Sequence, residues 1–178
     1  MAGLTLLTYL FVYTPMKRIS PTNTVIGAIS GALPPLIGWM AAGQPVVSAG
    51  TFFLFGLLFF WQLPHFAAIN WMYREEYIRG GFKMWSNEDE SGNRTARIAL
   101  SYSLILTVLS IAFPFISPHM AKWGAVSGGL LAGVMMMLSW RFLKTGKRED
   151  ARLLFFYTLL YRPLMMIASY FAWRAAAL

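Results

Sequence analysis

The chain has 178 residues, of which 57% are hydrophobic and only 12% are charged, and its formal net charge is +8. Soluble domains are about 25% charged, so this composition excludes a soluble enzyme and a disordered segment. The absence of cysteine excludes disulfides and thiolate metal sites. Because the cations lie between apolar runs, the basic charge favours a membrane protein, and we expect no nucleic-acid partner.

Uncharged apolar runs predict the membrane spans, since one crossing needs about 20 mostly apolar residues. Residues 1–14 are apolar but short for a crossing. Longer runs follow and predict five spans, roughly 22–42, 48–73, 98–116, 122–143 and 153–173, the last of which is interrupted by Arg162. We therefore predict an all-α polytopic transmembrane helix bundle, with five complete spans and a partial N-terminal helix, as one domain over residues 1–178. The chain starts as though already inside a helix, so we expect an N-terminal part to be missing.

The loops between these spans predict the orientation. Twelve of the 15 cations and all seven acids fall on one side of the predicted bundle. The twelve are Lys17, Arg18, Arg74, Arg79, Lys83, Arg94, Arg97, Arg141, Lys144, Lys147, Arg148 and Arg152. By the positive-inside rule this side faces the cytoplasm, or the matrix in a mitochondrion. We expect any chemistry that needs charge to occur there.

The stretch from Trp61 to Gly81 carries the most informative polar residues. Read as one helix, it places Trp61, His65, Met72 and Glu76 within about 40° of a common face. His65 would then lie about 16 Å below Glu76, inside the membrane. Intramembrane ionisable groups usually face a cavity, so this face is a candidate pocket lining. The alternative for His65 is a hydrogen-bonded core histidine.

Charged pairs in two loops of the basic side suggest a diphosphate site. Glu75 and Glu76 suit magnesium, which uses one or two carboxylates together with substrate phosphates. Lys17 and Arg18 suit phosphate oxygens. Above an apolar cavity, these groups predict a ligand with a diphosphate headgroup and a lipid tail. The alternatives are an ordinary solvated helix end for the acids and topology signals for the cations.

Two further charged features have structural interpretations. The run Glu88-Asp89-Glu90 is predicted to be a solvated loop. Arg162 lies near the middle of the last span, beside Pro163, which frees the carbonyl of Leu159. We favour a pairing of Arg162 with that carbonyl over a substrate role.

Four motifs in order resemble a known family. They are Tyr13-Thr-Pro-Met-Lys-Arg18 with Asn23, Gly27 through Gly31-Ala-Leu-Pro-Pro-Leu-Ile-Gly-Trp39, Trp61-Gln-Leu-Pro-His-Phe66, and Arg74-Glu-Glu-Tyr77 with Gly80-Gly81. With this spacing the chain resembles the haem O synthase (protoheme IX farnesyltransferase) branch of the UbiA-type intramembrane prenyltransferases, in its mitochondrial form. The resemblance covers residues 1 to about 175 and is strongest over 13–84.

The resemblance implies a nine-helix bundle, of which these five spans are the last five. It also implies a reaction, in which the farnesyl group of farnesyl diphosphate is transferred to a vinyl group of haem B to give haem O. It implies that Glu75 and Glu76 form the second of two acidic motifs holding Mg²⁺ and, with His65, are catalytic. Lys17, Arg18 and Tyr13 would hold the diphosphate. The haem and prenyl pocket would contain Trp61, Gln62, His65 and Tyr77.

The first acidic motif of that family is absent, since no Asp precedes Asp89. We therefore expect this polypeptide alone to be weakly active or inactive. The expected location is the mitochondrial inner membrane with the active-site loops in the matrix, or a bacterial plasma membrane, and haem A synthase is a candidate partner. The alternatives are a prenyltransferase for a quinone precursor or other aromatic acceptor, a non-catalytic membrane assembly subunit, and a channel or carrier.

Overall fold

The computed structural model describes residues 2–116 and 122–176, and within these two ranges every regular element is a helix. In chain order the elements are α1 (Ala2–Leu7), a π-helical segment (Thr8–Tyr13), α2 (Thr14–Met16), α3 (Asn23–Ala32), α4 (Pro34–Ala41), α5 (Ala49–Met72), α6 (Arg74–Arg79), α7 (Asn93–Ile116), α8 (Lys122–Thr145) and α9 (Arg148–Ala176).

The five predicted spans are confirmed. The segments long and apolar enough to cross a membrane are Asn23–Ala41, Ala49–Met72, Asn93–Phe113, Gly124–Thr145 and Arg148–Phe171, and a shorter apolar helix covers Ala2–Met16. The last three helices begin or end a few residues outside the apolar runs, because polar first and last turns extend them into the loops. The chain is therefore an all-α integral membrane protein.

The first span consists of two helices that meet at Leu33. Pro34 and Pro35 occupy the first turn of α4. Backbone N–H groups there have no acceptor within the helix, so a proline loses no hydrogen bond. The loop after α4 turns at Gly43, whose φ of +77° favours glycine. Ser48 then caps α5, since its hydroxyl accepts the backbone N–H of Thr51 at 3.2 Å.

Helix α5 is the central element and packs against α3, α7 and α9, while α7–α8 and α8–α9 form antiparallel pairs. Small residues permit close approach at these contacts, as the glycine spacing predicts for helices in lipid. A Cβ at Gly128 would lie 3.3 Å from the Cβ of Ser110, and one at Gly27 would lie 2.6 Å from Cε2 of Tyr13. The side chain of Gln62 packs against Gly31 in the same way.

The prediction of one continuous helix from Trp61 into the acidic motif is wrong. Helix α5 ends at Met72, and Tyr73 leaves the helical region with φ −114° and ψ 29°. Arg74 fixes this break, because its guanidinium donates to the carbonyls of Ser86 at 2.8 Å and Asn87 at 3.0 Å. Glu75 and Glu76 therefore lie on the separate helix α6, and a helical wheel drawn through α5 does not place them.

Candidate active site

Three loops cover the end of the bundle where α5 finishes, and we call residues 13–23, 73–95 and 145–148 the loop face. The backbone of Lys83 joins the first two loops. Its N–H donates to the carbonyl of Lys17 at 2.8 Å, and its carbonyl accepts Nδ2 of Asn23 at 2.7 Å. The loop that carries Lys17 and Arg18 and the loop that follows the acidic pair are thus in direct contact on one side of the bundle.

The two cations of the first loop rest on aromatic rings rather than on acids. Nζ of Lys17 lies 4.6 Å from the ring centroid of Tyr13, and the guanidinium of Arg18 lies 6.0 Å from that of Phe82. Among the described residues the salt bridges are Arg94–Glu88 and Arg141–Asp150. The charges of Lys17 and Arg18 are therefore available to an anionic ligand.

Tyr77 lies on the side of α6 that faces the first loop. Its ring meets that of Phe82 edge-on, with centroids 6.1 Å apart, and Phe82 is the ring that Arg18 covers. Burial and the neighbouring Tyr73 raise the pKa of Tyr77 above its usual value. The phenol thus keeps its proton at neutral pH and is able to donate a hydrogen bond to a phosphate oxygen.

The acidic pair lies in the first turn of α6 and is exposed to solvent. Glu75 and Glu76 line a depression of about 180 Å³ together with Arg74, Arg148 and three residues of α5 and the α8–α9 turn. Residues of the first loop do not line this depression. The structure therefore brings the acidic and basic pairs to the same face of the bundle but to different flanks of α6.

The donor chemistry of the acidic pair decides whether it suits magnesium. Within residues 2–116 and 122–176 there is no cluster of three or more His, Cys, Asp or Glu side chains that could hold a metal ion alone. Two neighbouring exposed carboxylates supply hard oxygen donors, and magnesium takes its other ligands from water and substrate phosphates. Glu75 and Glu76 fit that partial donor set.

His65 is held by a threonine on α9. Its Nδ1 lies 2.8 Å from Oγ1 of Thr158, and that hydroxyl donates its own proton to the carbonyl of Phe155 at 2.5 Å. Because the hydroxyl proton is used there, we assign Nδ1–H as the donor to Oγ1. The imidazole also stacks on Trp61 and Phe155, with centroids 5.5 and 5.0 Å apart. This arrangement orients His65 whether its role is structural or chemical.

Trp61 and Gln62, which belong to the same Trp61-Gln-Leu-Pro-His-Phe66 motif as His65, form hydrogen bonds to different helices. Nε1 of Trp61 donates to the carbonyl of Thr158 on α9 at 2.8 Å. Nε2 of Gln62 donates to the carbonyl of Leu58 in its own helix at 3.1 Å and to the carbonyl of Ala28 on α3 at 3.4 Å. Adjacent helical residues differ by about 100°, so one motif bonds α5 to both α3 and α9.

A large apolar hollow opens between α4–α5 and α9, and we call it the wedge. Its volume is about 960 Å³, and Trp39, Phe53, Trp61, Arg162 and Met165 are among the residues that line it. Trp61 precedes the end of α5 by 11 residues, or about 16 Å of helix. We expected an apolar pocket directly beneath the carboxylates, but the described residues form the large apolar cavity elsewhere. The wedge starts at Trp61 and extends away from the loop face.

Arg162 does not follow the predicted pairing with the carbonyl of Leu159. Its guanidinium lies over the ring of Trp61, 4.9 Å from the centroid. Trp61 is fixed in place by its bond to Thr158, so its ring forms a flat support for the cation. The charge of Arg162 consequently faces the wedge.

Two structural residues were missed or misassigned by sequence reasoning. Asp89 is 5% exposed, so the solvated-loop prediction is wrong for it, although Glu88 and Glu90 are exposed. Its carboxylate accepts the backbone N–H and the hydroxyl of Thr95, at 2.7 and 2.8 Å. An acid just before a helix is a capping signal that could have identified it. Nothing in the local sequence marked Thr158, whose partners are 93 and 97 residues away.

Comparison with known proteins identifies the family. The sequence profile described as "UbiA prenyltransferase family" matches residues 1–160. The chain belongs to the UbiA prenyltransferase family. Its predicted resemblance is thereby confirmed.

Several relatives share one name. The chain is 41% identical over 160 residues to human "Protoheme IX farnesyltransferase, mitochondrial", a match that covers 89% of this chain and 35% of the human protein. It is 42% identical over 170 residues to "Protoheme IX farnesyltransferase" of Opitutus terrae, covering 92% and 55%, respectively. It is 38% identical over 168 residues to the mitochondrial protein of Arabidopsis thaliana, covering 93% and 38%. The chain thus spans about a third to a half of these relatives. No solved structure matches it.

Proposed function

We propose that this chain takes part in the transfer of the farnesyl group of farnesyl diphosphate to a vinyl group of haem B, which gives haem O. Relatives at about 40% identity carry the name of this activity. The observation that carries the proposal for this chain is the contact of Lys83 with Lys17 and Asn23. That contact joins the basic loop to the loop after Glu75 and Glu76, so that cations and carboxylates share one face.

On this proposal the loop face binds the diphosphate headgroup. Lys17 and Arg18 pair with phosphate oxygens, and Tyr13 orients Lys17 through the ring beneath it. Glu75 and Glu76 hold magnesium, which when bound neutralises the charge of the diphosphate. Tyr77 supplies a neutral hydroxyl on the flank of α6 nearer the basic loop. These groups stabilise the charge that develops on the leaving group.

The transfer itself proceeds in three steps. The C1–O bond of the farnesyl diphosphate breaks, and the diphosphate leaves with the electron pair, so that an allylic cation forms. The electron pair of the vinyl group makes the new C–C bond to C1. Water adds to the remaining cationic carbon and loses a proton. Trp61, Gln62 and His65 line or brace the apolar interior in which the cation must survive, and the aromatic faces of Trp61 and His65 favour a cation.

The cellular setting is part of the same proposal. Mitochondrial and bacterial relatives both occur. We place the protein in the mitochondrial inner membrane with the loop face in the matrix, and a bacterial plasma membrane is the alternative. Haem A synthase, which would consume haem O, is the proposed partner.

The test is haem O formation from haem B and farnesyl diphosphate. The chain is assayed alone, and also co-expressed with the N-terminal helices of the Opitutus terrae relative, since the match covers only 55% of that protein. We expect Glu75→Ala combined with Glu76→Ala to lower the rate at least about 100-fold, because charge stabilisation at a leaving group contributes several kcal/mol. Both side chains are exposed, so folding should be unchanged.

The matched control is Glu88→Ala combined with Glu90→Ala. It also removes two exposed acids from the loop face, and it should leave the rate within about threefold. Normal turnover by the Glu75/Glu76 variant would refute the site. Prenylation of a quinone precursor instead of haem, by a chain that is otherwise active, would assign the alternative acceptor.

A further inference from the structure

Arg162 is a cation within a membrane span and has no acid near it. It lies 14 residues into α9, about 21 Å along the helix from Arg148. All seven acids of the sequence lie at positions 75–76, 88–90 and 149–150, and the residues that line the wedge include no acid. A charged side chain at this depth is costly unless it faces a partner or a cavity. An anionic ligand in the wedge would supply the counter-charge that the sequence does not place near Arg162.

The wedge is built to receive an apolar molecule with one anionic end. Its volume of about 960 Å³ lies at the upper end of the range of about 300–1,000 Å³ for small-molecule sites. Its walls carry the aromatic faces of Trp39, Phe53 and Trp61, and Arg162 is the charged residue in its lining. The Trp61 ring covers one face of the guanidinium, and stacking of this kind uses the face of the group rather than its in-plane N–H donors.

We propose that Arg162 binds a propionate carboxylate of the porphyrin that occupies the wedge. The identity of this ligand rests on the proposed function; the carboxylate recognition rests on the geometry alone. A guanidinium offers a carboxylate two parallel hydrogen bonds, which are strong where water is excluded. A flat, largely apolar ring matches the aromatic walls. Gln44 and Ser48 of the α4–α5 loop also line the wedge, so a lipid acid that enters from that membrane surface is the competing occupant, which oleate represents in the test.

The experiment measures binding of two ligands to the full chain in detergent, without farnesyl diphosphate. Protohaem is titrated by its absorbance, and so is its dimethyl ester, which has the same ring but no carboxylate. We expect the wild-type chain to bind protohaem at least about tenfold more tightly than the ester, as for a hydrogen bond to a charged group. Arg162→Leu should abolish that preference, and Arg162→Lys should retain part of it because it keeps the charge.

The control variant is Arg152→Leu. Arg152 lies on the same helix, and its guanidinium also covers an aromatic ring, that of Phe156 at 5.5 Å, but it does not line the wedge. It should leave the preference for protohaem unchanged. Circular dichroism confirms that each variant keeps its helix content, so a loss of binding is not a loss of fold.

Three results would overturn the proposal. They are equal binding of protohaem and ester by the wild-type chain, absence of binding of either, and an intact preference in Arg162→Leu. Displacement of protohaem by an equal concentration of oleate would reassign the wedge to a fatty acid and would also overturn it. Because farnesyl diphosphate is absent, a failure here is separate from a failure to form haem O.

Discussion

The two ends of the bundle are built in opposite ways. At the loop face, hydrogen bonds join distant segments: the backbone N–H of Lys83 donates to the carbonyl of Lys17, and Nε1 of Trp71 donates to the carbonyl of Gly146 at 3.0 Å. At the other end α5 and α9 diverge and leave the wedge of about 960 Å³. The helices meet between these regions, where Thr158 binds both Trp61 and His65.

This difference separates two requirements of the proposed reaction. Holding a highly charged headgroup needs exposed groups in fixed positions, and backbone hydrogen bonds provide such positions with little freedom. Admitting a large apolar acceptor needs space rather than rigidity. The contrast predicts that substitutions that disturb the hydrogen bonds or close contacts of the loop face reduce stability strongly, whereas substitutions of its exposed acids do not. At Thr158, where the two regions meet, a smaller change should disturb the orientation of His65.

Gly146→Ala should have the largest effect on stability. Gly146 has a φ of +63°, which disfavours any side chain, and a Cβ there would collide with the carbonyl oxygen of Ser91. Backbone strain and the clash together should cost about 3 kcal/mol or more. The measurement is the free energy of unfolding in mixed micelles as denaturing detergent is added.

Gly133→Ala is the matched control for that substitution. Gly133 lies inside α8, and a Cβ there would have no neighbour within 4 Å. Alanine is the better helix former, so this variant should be unchanged or more stable by up to about 1 kcal/mol. Equal losses in both variants would mean that the close approach of the α8–α9 turn to Ser91 does not support the loop face.

Asp89→Ala should have the next largest effect. The carboxylate is buried and accepts two hydrogen bonds from Thr95 at the start of α7. Removal leaves a backbone N–H and a hydroxyl without an acceptor, which should cost about 2 kcal/mol in the same unfolding measurement. Glu90→Ala, at an exposed neighbouring position, should stay within about 0.5 kcal/mol. An equally small loss of stability in Asp89→Ala would show that water replaces the carboxylate as the acceptor for the N–H and hydroxyl of Thr95.

Asp89 also shows how far the sequence could predict this fold. The five spans follow from hydropathy, because each crossing must be apolar along its whole length. The helix break at Tyr73 does not follow from local sequence, since the carbonyls that hold Arg74 belong to Ser86 and Asn87, in a loop that folds back over the helix end. The burial of Asp89 likewise depends on where that loop lies.

The candidate site was predicted to a similar extent. Charge asymmetry places the basic and acidic pairs on one side of the bundle, and the structure agrees. Their positions around α6 depend on the contacts of Lys83 and of the α8–α9 turn, which periodicity does not encode. The cavity was expected under the carboxylates, but α5 and α9 touch at Thr158 and separate only beyond Trp61, so the wedge forms at the other end.

Thr158→Val tests the boundary with the smallest change of shape. The substitution keeps the volume but removes the hydroxyl that accepts from His65, and leaves a partly buried imidazole N–H unpaired. We expect a loss of about 1 kcal/mol, together with a change in the ring tautomer seen in the ¹⁵N spectrum of His65, because Nδ1 no longer has its fixed acceptor. Thr107→Val is the control: Thr107 also lies in a helix and is only 9% exposed, but its hydroxyl donates to the carbonyl of Ser103 in its own helix at 2.8 Å. That change should stay within about 0.5 kcal/mol. If the two valine variants behave alike, the bond between α5 and α9 does not orient His65, and the imidazole is held by its aromatic neighbours alone.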